Sequence, residues 1–159
     1  MRQKSKAWLD QNFADEIERE PYLGTFVYAQ KEFTIVNFHA ITKKMQPETE
    51  IKFFKFLPAR YPQHNLIFAG DFNCPQTHSV FNPLKKLSFA PALIDVKTTL
   101  RMACKNGCTA SMFDNAFYRT DLVRVENSGA FPFHSSFADL KAARAISDHL
   151  PIWLTFWPN

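Results

Sequence analysis

The chain has 159 residues, 46% of them hydrophobic and 15% aromatic, which is enough apolar material for the core of one domain. No apolar run reaches the length of a membrane span, and the first residues hold no apolar stretch long enough for a signal peptide. A net charge of +4 suits an anionic partner such as nucleic acid, and equally an ordinary solvated surface.

Residues 23–29 and 33–40 read as two strands, rich in β-branched and aromatic side chains and joined by the polar Gln30, Lys31 and Glu32 as in a hairpin. Pro47 opens an expected helix over 48–60, with Ile51, Phe54 and Leu57 at helical spacing, and Pro62 closes it. Residues 66–69 form a short continuous apolar run, as in a strand buried on both faces. A short helix is expected over 79–87, where Pro83 works against it, followed by a polar loop through Cys104 and Cys108. Strands are expected over 113–118 and 122–125, helix formers fill 135–144, and 152–157 is a final strand. This mixture indicates a layered α/β or α+β domain without repeats or linkers. Seventeen Phe against four Gly means that much of the Phe must be buried, within this chain or against another.

Three cysteines, Cys74, Cys104 and Cys108, contain no C-x-x-C pair, and nothing has the spacing of a zinc cluster. Cys104 and Cys108 flank Lys-Asn-Gly. They are either a small disulfide loop or free thiols.

Four segments concentrate reactive side chains. His39 ends a strand in Val36-Asn-Phe-His-Ala. Gly70-Asp71-Phe72-Asn73 follows a buried strand directly; Gly permits a sharp turn, and Asp and Asn place two hard oxygens at the strand's carboxyl end, as a Mg²⁺ site or an Asx turn would. Asp114 sits in the apolar run Phe113-Asp-Asn-Ala-Phe, where a carboxylate is costly unless paired, liganded or on an exposed edge. Ile146-Ser-Asp148-His149-Leu-Pro151 precedes the terminal strand, and in a tight turn its Asp and His divide between metal binding and proton transfer.

Taken in order, the strand-end His, G-D-F-N, the Asp strand and S-D-H resemble the DNase I-like endonuclease/exonuclease/phosphatase family, from about residue 18 to 157. Arg19-Glu20-Pro21 before a hairpin, Asp114 in its strand and the Ile146 to Pro151 segment are most similar to its DNase I branch. The resemblance implies a partial four-layer fold, mainly one mixed β-sheet with flanking helices, in which 1–159 is a single incomplete domain whose N-terminal half is absent. It implies His39 and His149 as an acid–base pair and Asp114 as the carboxylate that fixes the His149 tautomer. Asp71, Asn73 and Asp148 would bind or surround a divalent metal, Mg²⁺ with Mn²⁺ or Ca²⁺ as alternatives. Arg19 would contact a substrate phosphate, alongside Asn73, or form an ordinary salt bridge.

The chain departs from the pattern in two ways. The family's early Asn, its metal-binding Glu and the second Glu that orients the first His have no counterpart, and Glu16, Glu18 and Glu20 lie in no matching motif. Phe113 stands where the family often has Tyr, which removes a hydroxyl.

The implied function is a divalent-metal-dependent phosphodiester hydrolase, a DNase I-like endonuclease acting on DNA, inactive or incomplete without the other half. Alternatives are a phosphoesterase of the same family acting on lipid or inositol phosphates, and a non-catalytic remnant that only binds a ligand or partner. An incomplete sandwich also implies an exposed apolar face, open to a complementary half or to self-association, with nothing left in the chain to cover it.

Overall fold

The computed structural model describes residues 1–159. The N-terminal segment forms two short strands, β1 (Arg2–Gln3) and β2 (Trp8–Leu9), both antiparallel to β3 (Tyr22–Tyr28). β3 turns at Ala29 and Gln30, both at positive φ, into β4 (Lys31–His39). The chain then crosses through α1 (Glu48–Ile51) and α2 (Leu57–Arg60) to β5 (Leu66–Asp71), parallel to β4. After α3 (Asn82–Lys85) come β6 (Phe89–Pro91) and β7 (Asp114–Arg119), then β8 (Val123–Ala130), α4 (Leu140–Arg144) and β9 (Ile152–Pro158). The main sheet is mixed and seven-stranded in the order β1-β3-β4-β5-β7-β6, with β2 also on β3, and β8–β9 is a separate two-stranded layer.

The expected helix over 48–60 is broken into α1, a 3₁₀ turn at Phe54–Phe56, and α2. Pro58 has no N–H to return to the Phe54 carbonyl, so the turn tightens and the helix restarts with proline in its first turn. Pro83 does the same to 79–87, leaving a 3₁₀ turn at Ser79–Phe81 and then α3. The 135–144 helix shrinks to α4, because Asp139 caps it by accepting from the Ala142 N–H at 2.7 Å. β1, β2 and β6 are each only two or three residues long, too short to show strand periodicity in the sequence.

One face of the main sheet packs on these broken helices. Phe38, Phe54, Phe68, Phe72, Phe81, Phe89 and Phe117 meet there with Val36, Ile51 and Leu57, which accounts for much of the unusual Phe content. The other face was expected to lie bare. Instead β8 runs eight residues rather than four, and its hairpin with β9 covers part of it, burying Phe33, Ile67 and Ala116 under Val125, Leu154 and Phe156. Beyond the hairpin, Tyr22, Gly24, Phe26, Ile35 and Asn37 line an open groove of about 380 Å³.

Cys104 and Cys108 are disulfide-bonded in the loop closed by the Leu100–Thr109 bridge. Cys74 is free and buried, and burial pushes its thiol up to about 11. No helix is long and apolar enough to cross a membrane.

Candidate active site

β4 and β5 are parallel and end level, so His39 lies beside Asp71; β7 is antiparallel to β5 and begins at Asp114, opposite Asp71. Alternation along each strand then puts all three side chains on one face. They share it with Ile35, Ala69 and Ala116, so the polar cluster sits at the rim of the same face the hairpin partly covers.

Gly70 makes this row possible. It does not form the sharp turn expected of it but lies within β5 at φ +144°, and a Cβ there would stand 1.9 Å from the Phe38 carbonyl oxygen. Only glycine lets β5 approach β4 this closely just before Asp71. The chain turns after Asp71, where Oδ1 accepts from the Asn73 N–H at 2.7 Å and Asn73 adopts φ +48°. An Asx turn and a pair of hard oxygens thus coexist in the same three residues.

His149 arrives from the opposite side. The Leu100 N–H donates to the Asp148 carbonyl and the Leu150 N–H to the Thr98 carbonyl, both at 2.7 Å, which straps the Asp148–Leu150 stretch to the 98–100 segment. His149 Nδ1 then lies 2.8 Å from Asp114 Oδ2, and its Nε2 lies 3.9 Å from Asp71 Oδ2. His39 Nε2 is 3.5 Å from the same Asp71 oxygen.

Thr98 was not singled out from the sequence. Its buried hydroxyl donates to Asp114 Oδ2 at 2.5 Å and accepts from the Asp114 N–H at 3.0 Å. Asp114 is therefore held from two sides. Nothing local marks Thr98 in advance, because it stands in a polar loop sixteen residues from its partner.

Arg19 does not line the cleft. Its guanidinium donates to the Ala40 carbonyl at 2.8 Å, and the same carbonyl accepts from Asn73 Nδ2 at 3.1 Å. Glu50, also missed, is buried, and its carboxylate accepts from the Glu18 N–H at 2.8 Å and the Ile41 N–H at 2.9 Å. It pins the segments that carry Arg19 and His39. Asp148 is 60% exposed and faces Arg144 at 3.6 Å.

His39, Asp71, Asn73, Asp114, Asp148 and His149 all border one cleft of about 480 Å³, with Thr42 and Ser147 and no apolar side chain. Burial pushes the Asp71 carboxyl above its usual range, and the nearby Asp114 charge adds to this; the Asn73 N–H and the two imidazoles only partly oppose it. The hydrogen bond to Asp114 raises the His149 imidazole, against partial burial, with Asp71 and Asp148 contributing.

Asp71, Asp114 and His149 present ligand atoms within 4.8 Å of one another, a group able to hold a metal ion. Asp114 Oδ2 is already taken by His149 and Thr98, whereas Asp71 is a partly buried carboxylate with no Lys or Arg beside it, and the Asn73 amide oxygen takes no protein hydrogen bond. That donor chemistry fits a hard divalent cation centred on Asp71 and Asn73.

No family model and no curated protein sequence matches the chain. Solved structures do. An endonuclease/exonuclease/phosphatase family protein from Bacteroides thetaiotaomicron superposes with a TM-score of 0.63 at 20% identity, over 86% of this chain and 55% of the other. D. rerio TDP2, complexed with a single-strand DNA product, gives 0.68 at 15% identity, over 96% and 67%. A mannosyl-6-phosphatase from the same Bacteroides gives 0.60 at 18% identity, over 87% and 57%. The chain has the DNase I-like fold of these proteins and spans little more than half the length of the two Bacteroides chains.

Proposed function

We propose that the chain belongs to the endonuclease/exonuclease/phosphatase family and carries the proton-transfer and metal-holding part of a divalent-metal-dependent phosphodiester hydrolase acting on nucleic acid, with DNA as substrate. The observation that carries this reading is the His149–Asp114 pair, backed by Thr98, facing Asp71 and His39 across a cleft with no apolar wall.

Asp114 accepts from His149 Nδ1–H and so leaves Nε2 turned to the cleft as the atom that gives or takes a proton. A raised imidazole suits a group that is protonated at rest and delivers its proton to a leaving oxygen, or that holds the charge developed on taking one from water. His39, on the other side of Asp71, takes the opposite task. Asp71 and Asn73, with Asp148 at the mouth, would hold Mg²⁺, Mn²⁺ or Ca²⁺. A bound cation would neutralise phosphate charge as it builds in the transition state. Arg19 holds the Ala40 carbonyl that also accepts from the Asn73 amide, and its remaining N–H groups would contact a substrate phosphate.

Hydrolysis by the 159 residues alone should be slow. His39 is 58% exposed and its Nδ1 has no partner, so its tautomer is not fixed as that of His149 is. The open groove at Tyr22, Phe26 and Ile35 suits an apolar layer from a complementary polypeptide or a second copy. The test of the activity is hydrolysis of a chromogenic phosphodiester with Mn²⁺ or Mg²⁺. We expect little or no turnover by this chain alone, and whatever there is to be lost in EDTA and in His149→Ala; turnover that survives both sinks the reading.

A further inference from the structure

At the end of the main sheet away from the cleft lies a hollow of about 300 Å³, bordered by Lys4, Ser5, Thr25, Glu32, Gln63 and His64 and by no apolar side chain. Glu32 stands near the start of β4 and His39 at its end, about 23 Å of strand apart, and the hollow has no lining residue in common with the cleft. We propose that this hollow binds a monophosphate group, free or carried by a small hydrophilic molecule. Nothing in it depends on the hydrolase reading.

A hydrogen-bond chain runs beneath the hollow, and both of its ends open there. The Thr25 hydroxyl lies 2.9 Å from that of Thr34, and the Thr34 hydroxyl lies 2.8 Å from His64 Nδ1. Thr34 is fully buried and Thr25 is 4% exposed, opposite one another on β4 and β3. A cross-strand Thr pair is ordinary sheet chemistry, but the link to His64 extends it into a relay. When His64 Nδ1 carries a proton it donates to Thr34, and Thr34 then donates to Thr25. The Thr25 proton is left without a partner in the chain and is available to the hollow. His64 Nε2 takes no protein hydrogen bond either. The ring is fixed by the edges of Trp8 and Tyr61, each 5.8 Å away between centroids, and by the His64 N–H donating to the Tyr61 carbonyl at 3.0 Å. The donors are therefore in place before anything binds.

Charge and donor count select the occupant. Lys4, Ser5, Thr25, Gln63 and His64 all offer N–H or O–H groups, against the single carboxylate of Glu32. Lys4 is ion-paired to Glu32, but both side chains are about half exposed, so the pair is held weakly and Lys4 is free to turn to a ligand. A phosphate group presents acceptor oxygens on every side and gains most from charged donors. A divalent cation would find one carboxylate only, and a base or acyl chain would find no apolar wall.

The test is an NMR titration of the protein in EDTA at fixed ionic strength, with inorganic phosphate, glycerol 3-phosphate and chloride in separate arms. We expect saturable shifts at Thr25 and His64 with phosphate and none with chloride. Tighter binding of glycerol 3-phosphate would assign the ester, and tighter binding of inorganic phosphate the free ion. Lys4→Gln should weaken binding about tenfold, and Thr25→Val, which keeps the shape and removes the hydroxyl, should do the same. Glu32→Gln should act the other way and tighten binding roughly threefold, because it removes the one negative charge and releases Lys4. These opposite signs at two exposed positions decide the matter even if Thr25→Val folds poorly. Phosphate shifts confined to His39 and His149, shifts that chloride reproduces, or a folded Thr25→Val chain that binds as the wild type does would each overturn the site.

Discussion

His149 and Asp114, thirty-five residues apart, meet at 2.8 Å, and Thr98 holds the carboxylate from behind. The pair makes His149 a stronger base than a free imidazole. Asp114→Asn should therefore lower the His149 pKa, measured by imidazole NMR titration in EDTA. The sign for stability follows from linkage: with the folded value raised, the contribution is fully present below about pH 6.5 and fades as pH rises through the folded value. In the variant that pH dependence should flatten. An unchanged titration would mean that the hydrogen bond does not set the imidazole's charge. If the phosphodiesterase reading holds, the wrong tautomer should also cost on the order of 10⁴ in rate, as in a comparable triad.

Asp71 carries the opposite lesson. Its raised pKa means that its contribution favours the fold at acid pH, below about 3.8, and is lost as pH rises through the folded value. At neutral pH the ionised carboxylate opposes folding unless a cation joins it. Asp71→Asn should thus leave the metal-free chain at pH 7 no less stable, since the amide oxygen can still accept from the Asn73 N–H. Mg²⁺ or Mn²⁺ at about a hundred times its Kd should add about 2.7 kcal/mol to the wild type, roughly 5–10 °C in Tm, and nothing to the variant. An equal thermal shift in both would place the cation elsewhere.

Gly70→Ala should be among the most damaging single changes. The added methyl meets the Phe38 carbonyl in a conformation that L-residues avoid. A loss above about 3 kcal/mol is expected from urea denaturation, together with displaced His39 resonances as β4 and β5 part. A variant as stable as the wild type would mean that the two strands do not approach as closely as described.

Glu50→Ala should cost about 1–3 kcal/mol for the backbone N–H groups it leaves unpaired, while Glu50→Gln, which keeps an acceptor, should cost less. Chemical denaturation of the two variants distinguishes them. Equal, small losses would show that the carboxylate is not what joins the Arg19 and His39 segments.

The groove at Tyr22, Phe26 and Ile35 should bind ANS and drive self-association, seen by sedimentation as a concentration-dependent rise above 18.4 kDa. Tyr22→Lys should reduce both, because Tyr22 is 49% exposed on that face. A monomer that binds no dye would mean that the β8–β9 hairpin is cover enough.

The sequence by itself determined the class of fold and singled out residues that border one cleft. His39, Gly-Asp-Phe-Asn at 70–73, Asp114 and Ser-Asp-His at 147–149 are short local patterns, and strand periodicity places each at an element's end. Propensity reaches a few residues along the chain, so it also found β3, β4, β5 and β9, while Pro58 and Pro83 broke helices that hydrophobic spacing alone would have continued. Only the tertiary structure decided what each residue faces. Register across β4, β5 and β7 aligns His39, Asp71 and Asp114, and strand pairing at the 98–100 segment brings His149 to Asp114. Thr98 and Glu50 act through hydrogen bonds to residues nine to thirty-two positions away, which leave no periodic trace, and Arg19 donates to the Ala40 carbonyl. The length of β8 decided how much of the sheet is covered, because a strand's extent depends on the partner it finds, and β9 lies more than twenty residues away.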